Sequence, residues 1–289
     1  MSRQANRRSN TSPYGQTILV TGASSGIGLA ITRQLVQQGF TVYAASRFMS
    51  EAASTLISRY PELEQMVPVK LDVQDETACA ALVGRIAAER GELAAIFHCA
   101  GAGIAGAVEE TEPVDARWQM DLLFFGTVHV VRPALTVMRR QGKGLVVLIS
   151  SVAGSIPVPF QTYYSAAKAA VLAFAAGTAD EMRPHGVRIS VVSPGDTRTG
   201  FTDARRVHDR ASDQSSPYAA RLNRSVARMA RDEQNGMSPD AIARAAISNL
   251  YRRWPPLNRT PGLLYKAIML LQRILPTRVF RFAVRLLYA

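Results

Sequence analysis

A short apolar run, Thr17–Thr21 (TILVT), meets the turn Gly22-Ala23-Ser24-Ser25-Gly26-Ile27-Gly28, and helical periodicity follows at once. Ile27, Ala30, Ile31 and Leu35 fall on one face of a helix predicted over 27–38. A strand that turns on glycines into a helix is the first half of a βαβ unit. The alternation continues. Strands are predicted at 40–45, 67–71, 93–97, 145–149 and Val187–Val192, with helices at 76–89, within 113–140 and at 164–182. Strands spaced by long helices imply an α/β fold, a doubly wound Rossmann-type parallel sheet in a single domain with a C-terminal helical extension. This reading places six strands and no seventh. It divides the chain into a polar basic tail (1–15, expected to be disordered), the sheet domain (16–255, with a substrate loop over 196–237) and a basic amphipathic helical extension (256–289).

The turn itself carries chemistry. Glycine lets backbone N–H groups approach a pyrophosphate closely, and a helix N-terminus favours the anion. Gly22, Ser24, Ser25, Gly26, Ile27 and Gly28 are therefore candidate cofactor contacts. The end of the second strand reads Ala45-Ser46-Arg47 and offers no acid for a ribose 2′-hydroxyl. Arg47 suits a 2′-phosphate instead, so NADP(H) is expected over NAD(H). Asp72 and Val73, after the third strand, are placed to meet an adenine; a helix N-cap is the alternative for Asp72.

Tyr164 and Lys168 stand four apart, on one face of the predicted helix. A nearby ammonium is expected to lower the phenol from its usual pKa of about 10 and make it an acid/base. Ser151 directly follows the apolar run LVVLIS, at the carboxyl end of a strand where ligands of such sheets bind. Ser150 is the competing candidate, since neighbouring strand residues face opposite ways. No His/Cys spacing suggests a metal site, and Cys79 and Cys99 form no CxxC pair.

Together TGxxxGxG, the Ser followed by YxxxK, and the later PG turn resemble the short-chain dehydrogenase/reductase family over roughly residues 15–200. The resemblance implies a catalytic Ser151, Tyr164 and Lys168, with Tyr164 and Lys168 also touching the cofactor and Lys168 holding nicotinamide ribose hydroxyls. It implies that Pro194, Gly195, Thr197 and Thr199 lie along the nicotinamide, and that Ser24 and Arg47 receive the 2′-phosphate. Two positions depart from the pattern. Cys99-Ala100-Gly101 stands for the family's NAG, leaving Ala100 and Gly101 as cofactor contacts, and Leu123 replaces an Asn that supports a water in the proton relay.

The resemblance implies an NADP(H)-dependent oxidoreductase interconverting a secondary alcohol and a ketone or aldehyde. VYAASR and VMRRQ are similar to the 17β-hydroxysteroid and retinol dehydrogenase-like branch, and residues 196–201 to 3-ketosphinganine reductases. Both imply a small apolar carbonyl or alcohol substrate such as a steroid, retinoid or keto lipid. Ile156, Pro157, Val158, Pro159, Phe160, Phe201 and Met237 are candidate pocket walls. The alternative function is an NADP-binding sensor or scaffold without turnover, motivated by Leu123 and Cys99.

Net charge is +12, but residues 1–16 hold three cations and residues 252–289 eight, with no acid in either. The middle is near neutral, so the basicity belongs to the ends. Aromatic platforms are not interleaved with these cations, which argues against nucleic acid. The first sixteen residues lack the apolar core of a secretory signal, and the expectation is a cytoplasmic protein. Pro276 splits the C-terminal stretch into two short amphipathic helices. Residues 262–289 suit a membrane surface, a cap over the substrate pocket or a homodimer interface equally well.

Overall fold

A computed structural model describes residues 12–207 and 215–288. The chain alternates as β1 (Thr17–Thr21), α1 (Gly26–Gln37), β2 (Thr41–Ser46), α2 (Met49–Arg59), β3 (Val67–Lys70), α3 (Glu76–Arg90) and β4 (Ala95–His98). It continues through β5 (Ile104–Ala105), α4 (Pro113–Met120), α5 (Gly126–Gln141), β6 (Gly144–Ile149), α6 (Thr162–Met182) and β7 (Val187–Val192). Then come α7 (Phe201–Ala204), β8 (Arg206–Val207), α8 (Ala219–Gln234), α9 (Pro239–Ile247), β9 (Asn258–Arg259), α10 (Leu263–Ile274) and α11 (Thr277–Tyr288).

Seven strands pair in the order β3-β2-β1-β4-β6-β7-β9, every ladder parallel. Both faces are covered, which is why β1, β4 and β6 read as unbroken apolar runs. Alternate residues serve opposite cores. Ile18 and Val20 pack with Ile31 and Leu35 of α1 and Ile242 of α9. Leu19 packs with Val83 of α3, Val130 of α5 and Val171 of α6. Strand order reverses between β1 and β4, and their carboxyl ends open the crevice where such sheets bind ligands.

Several expectations need correction. A seventh strand exists: β9 pairs Asn258 and Arg259 with Val191 and Val192. It lies inside the stretch expected to be wholly helical, and two polar residues after Pro255 and Pro256 carry no strand period. The segment expected as a substrate loop holds α7, β8 and the sixteen-residue α8, whose Leu222 and Met229 are buried; residues 208–214 lie outside the described residues. Residues 12–15 of the expected disordered tail pack instead. Ser12 donates to the Leu250 carbonyl at 3.1 Å and Tyr14 to that of Arg252 at 2.7 Å; residues 1–11 lie outside the described residues. Helices α2 and α9 were not anticipated either.

The long helix over Pro113–Gln141 is interrupted by a π-turn at Asp121–Phe125. Among the described residues it is the one helix long and apolar enough to cross a membrane. Its Val130, Val131, Ala134 and Met138 belong to the core against α3 and α6, which accounts for its apolar character.

Candidate active site

The turn after β1 forms a cavity of about 260 Å³ at the reversal point. It is lined by Gly22, Ser24, Ser25, Gly26, Ile27 and Gly28 from the turn and Arg47 from the end of β2. Asp72 and Val73 follow β3 into it, Ala100 and Gly101 follow β4, and Thr199 follows β7. The backbone leaves no room for side chains here. A Cβ on Gly28 would lie 2.2 Å from the Gly22 carbonyl oxygen, and one on Gly22 would lie 2.8 Å from the Ala100 nitrogen. Gly22 and Gly26 also adopt φ of +66° and +52°.

An anionic dinucleotide fits this cradle. Helix α1 begins with no side-chain cap and no acid in its first turn, so its N–H groups and positive dipole end stay open. Ser46 Oγ is buried without a partner among the described residues and lines the same cavity. Exposed Arg47 stands next to it. Asp72 does not cap a helix: its Oδ1 accepts from Gln74 N, and Asp75 caps α3.

A second cavity of about 430 Å³ shares Ile27, Gly101, Thr199 and Phe201 with the cradle, so the two are continuous. Ser151, Tyr164 and Lys168 line it, with Pro194, Gly195 and Thr197. Helix α6 presents Tyr164 and Lys168 one turn apart, while Ser151 leaves β6 and caps a short 3₁₀ turn by accepting from Ala153 N. The Ser151 hydroxyl stands beside that of Tyr164 on the cavity wall, near enough to pull on its proton. Ser150 also borders this cavity, but its hydroxyl is engaged, donating to the Lys168 carbonyl at 3.1 Å.

The electrostatics differ from expectation. Burial dominates at Tyr164 and pushes the phenol up to about 12, against the lowering pull of Ser151; Glu233 and Asp196 raise it further. Lys168 does not offset this. Its ammonium donates to the Ile149 carbonyl at 2.8 Å and stands 5.8 Å from the centre of the Tyr164 ring. Burial in turn lowers Lys168 to about 8. The phenol is therefore held protonated, the state of a proton donor.

Leu123 lies in the π-turn and is buried. Its side chain packs so closely on Gly101 that a Cβ there would lie 2.9 Å from it, and its carbonyl accepts from Thr127 Oγ1 at 2.6 Å. Cys99 is held protonated by burial, up to about 12.

Of the anticipated pocket walls, Ile156, Val158 and Phe201 line the cavity. Pro159 and Phe160 instead border a separate groove beside Tyr218, Pro157 offers its carbonyl to Arg281, and Met237 sits beneath Gly262. The rest of the wall was missed. Tyr265, Ile268, Leu271, Leu275, Phe280 and Val284 from α10 and α11 roof the cavity, and Met229 and Glu233 enter from α8. The amphipathic pattern of the last helices allowed a pocket cap; nothing in the charged α8 sequence signalled one. Glu233 is paired with buried Arg205, and the Asp196 carboxylate accepts from Tyr265.

His98, at the end of β4, is buried and bonds Thr21 Oγ1 through Nδ1 at 2.9 Å. Burial, helped by the charge of Lys168, lowers it to about 3. The unfolded chain takes that proton near pH 6.5, so between about 6.5 and 3 acid favours unfolding. His98→Asn is expected to remove about 2–3 kcal/mol of the stability difference between pH 7 and pH 4.5. Urea midpoints of both proteins at the two pH values check this; parallel pH dependence would contradict it.

A glycine-walled anion cradle that runs into a hydroxyl pair and a buried ammonium defines a dinucleotide-dependent oxidoreductase. The family model described as short chain dehydrogenase matches residues 16–210, and the chain belongs to that family. It is 32% identical over 275 residues to the 3-ketodihydrosphingosine reductase of Bacteroides thetaiotaomicron, covering 95% of this chain and 98% of that protein. A short-chain dehydrogenase structure from Streptomyces avermitilis superposes with a TM-score of 0.76 at 31% identity, covering 88% of this chain and 91% of the other. Two more distant structures share the fold. One, from Burkholderia cenocepacia, is in complex with NADP (TM-score 0.72, 20% identity, 93% and 97% coverage). The other, from Burkholderia phymatum, is in complex with NAD (TM-score 0.74, 24% identity, 90% and 92% coverage).

Proposed function

We propose that the protein is an NADP(H)-dependent reductase of ketones carried on long apolar molecules. The observation that carries this reading is the Ser151–Tyr164 hydroxyl pair on the wall of an apolar cavity that runs into the cradle. A nicotinamide bound there supplies the hydride. Ser151 donates to the substrate carbonyl oxygen and orients it. Tyr164, kept protonated by burial, transfers its proton to that oxygen as negative charge builds. Lys168, whose ammonium donates to the Ile149 carbonyl, would hold ribose hydroxyls and resupply the proton. Aliphatic and aromatic side chains exclude water around them.

Arg47, Ser24 and the unpartnered Ser46 hydroxyl, with no acid at the end of β2, favour the phosphorylated cofactor. The likeness to a protein named 3-ketodihydrosphingosine reductase favours a long-chain keto substrate over a steroid or retinoid. NADPH consumption measured over keto lipids, steroids and retinals tests the substrate class; activity confined to small polar ketones would overturn it. Losing a charge-assisted contact costs about 1.5–3 kcal/mol. Arg47→Ala is therefore expected to weaken NADPH binding about 10–100-fold and leave NADH binding within a factor of about two. Equal loss for both cofactors would refute the assignment of Arg47.

A second reading rests on buried Leu123: a protein that binds NADP without turnover. Tight NADPH binding with no consumption across the panel would establish it.

A further inference from the structure

Helices α10 and α11 have two working faces. The inner face roofs the catalytic cavity and is fastened down by polar contacts. Tyr265 reaches Asp196, Gln272 donates to the Ser155 carbonyl at 2.6 Å, and Arg281 donates to that of Pro157 at 2.6 Å. The outer face has no partner in the fold. Sixteen large apolar side chains are exposed among the described residues, and ten of them lie between Leu263 and Leu287. Leu264, Leu270, Ile274, Val279, Phe282 and Leu286 do not line the catalytic cavity, and each is more than half exposed.

Charge sits beside this apolar surface in register. Val279, Phe282 and Leu286 recur at spacings of three and four, a single stripe on α11. Arg278 and Arg285 stand one residue before Val279 and Leu286, seven apart along the same side of α11, while Arg281 between them is the one tied to the Pro157 carbonyl. On α10, Lys266 and Arg273 lie seven residues apart, two turns along one side of the helix. Residues 252–289 contain no acid at all. A second copy docked on this face would therefore set cations against cations. A surface that is apolar within and anionic at its boundary answers the apolar stripe and the cations together.

We infer that the outer face of α10 and α11 docks on an anionic lipid bilayer. The leucines and Phe282 enter the headgroup–acyl boundary and the cations meet lipid phosphates and carboxylates. The roof of the cavity then lies against the lipid, and Leu271, Leu275 and Leu287, which line the cavity and are themselves accessible, border a path between the two. That this path carries the substrate rests on the function proposed above; the docking does not, and sedimentation reads the docking alone.

The test uses the full chain with vesicles of phosphatidylcholine alone and of phosphatidylcholine mixed with phosphatidylserine. The protein is expected to pellet with the mixed vesicles and to release at high salt, because the contacts lie within a Debye length of solvent. Arg278→Glu with Arg285→Glu is expected to cut pelleting about tenfold or more, from the loss of roughly 1 kcal/mol per surface cation and added repulsion. Ile274→Glu with Phe282→Glu is expected to do likewise. Both variants should keep wild-type NADPH binding, which shows that they fold, and Tyr164→Phe should pellet like the wild type. No enrichment on anionic vesicles over neutral ones would overturn the inference. So would a dimer in light scattering that the glutamate pair dissociates while pelleting stays absent, since a second copy would then cover this face.

Discussion

Tyr164→Phe is expected to lower turnover by about 10²–10⁴-fold, the usual worth of a positioned general acid, while NADPH binds within a factor of about three of wild type. The substitution removes one oxygen. The ring keeps its place against Phe201, with ring centres 5.5 Å apart, so the cavity wall survives. Ser151 retains its bond from Ala153 N and can still orient a carbonyl. What is lost is the proton on a phenol that burial keeps protonated to about pH 12. Single-turnover NADPH oxidation beside a fluorescence titration of NADPH separates the two effects. Near-normal turnover in the variant would remove Tyr164 from the chemistry.

Gly28→Ala is expected to abolish measurable cofactor binding, at least about a hundredfold, and to cost roughly 2 kcal/mol or more of stability. The new methyl would press on the Gly22 carbonyl at 2.2 Å, and both partners are backbone. No flexible side chain can give way, so the turn itself must open, and the turn is the cradle. Gly84→Ala is the control. Gly84 is exposed on α3 with nothing within 4 Å of an added Cβ, and alanine there should stabilise by about 0.5–1 kcal/mol. Isothermal titration with NADPH and thermal melts of both variants distinguish local blockage from a general intolerance of the fold.

The parts of this molecule that were legible in its sequence are those written in a local period. β1, α1 and the long helices announce themselves because both faces of the sheet are buried and each covering helix shows one apolar stripe. The cradle is legible for a related reason, since close backbone approach admits only glycine at Gly22 and Gly28. Spacing alone could not separate Ser151 from Ser150, because both follow the strand and both border the cavity; only the fold shows that the Ser150 hydroxyl is engaged by the Lys168 carbonyl. Strand β9 was illegible because two polar residues carry no period; they pair through Val191 N and Ser193 N donating to the Leu257 and Arg259 carbonyls, with the Ser190 and Ser193 hydroxyls bonding Pro256 and Asn258 beside them. Helix α8 looked like a charged insertion because only its Leu222, Ser225 and Met229 are buried. The charge state of Tyr164 could not be read from YxxxK at all. Spacing reports that Lys168 is near, but not that the core around both side chains outweighs its pull.

The fastening at Tyr265 has a thermodynamic consequence. Its ring lies over Gly195, where a Cβ would fall 2.2 Å from it, and its hydroxyl accepts from Asp196 N at 3.0 Å while donating to the Asp196 carboxylate. The roof of the substrate cavity is thereby tied to the loop that follows β7, the same loop that borders the cradle through Thr199. Two binding events that bear on one shared loop can be coupled, and such coupling is symmetric. Any factor by which cofactor tightens substrate binding through Tyr265 is the factor by which substrate tightens cofactor, and Tyr265→Phe should shrink both affinities' mutual dependence by the same amount.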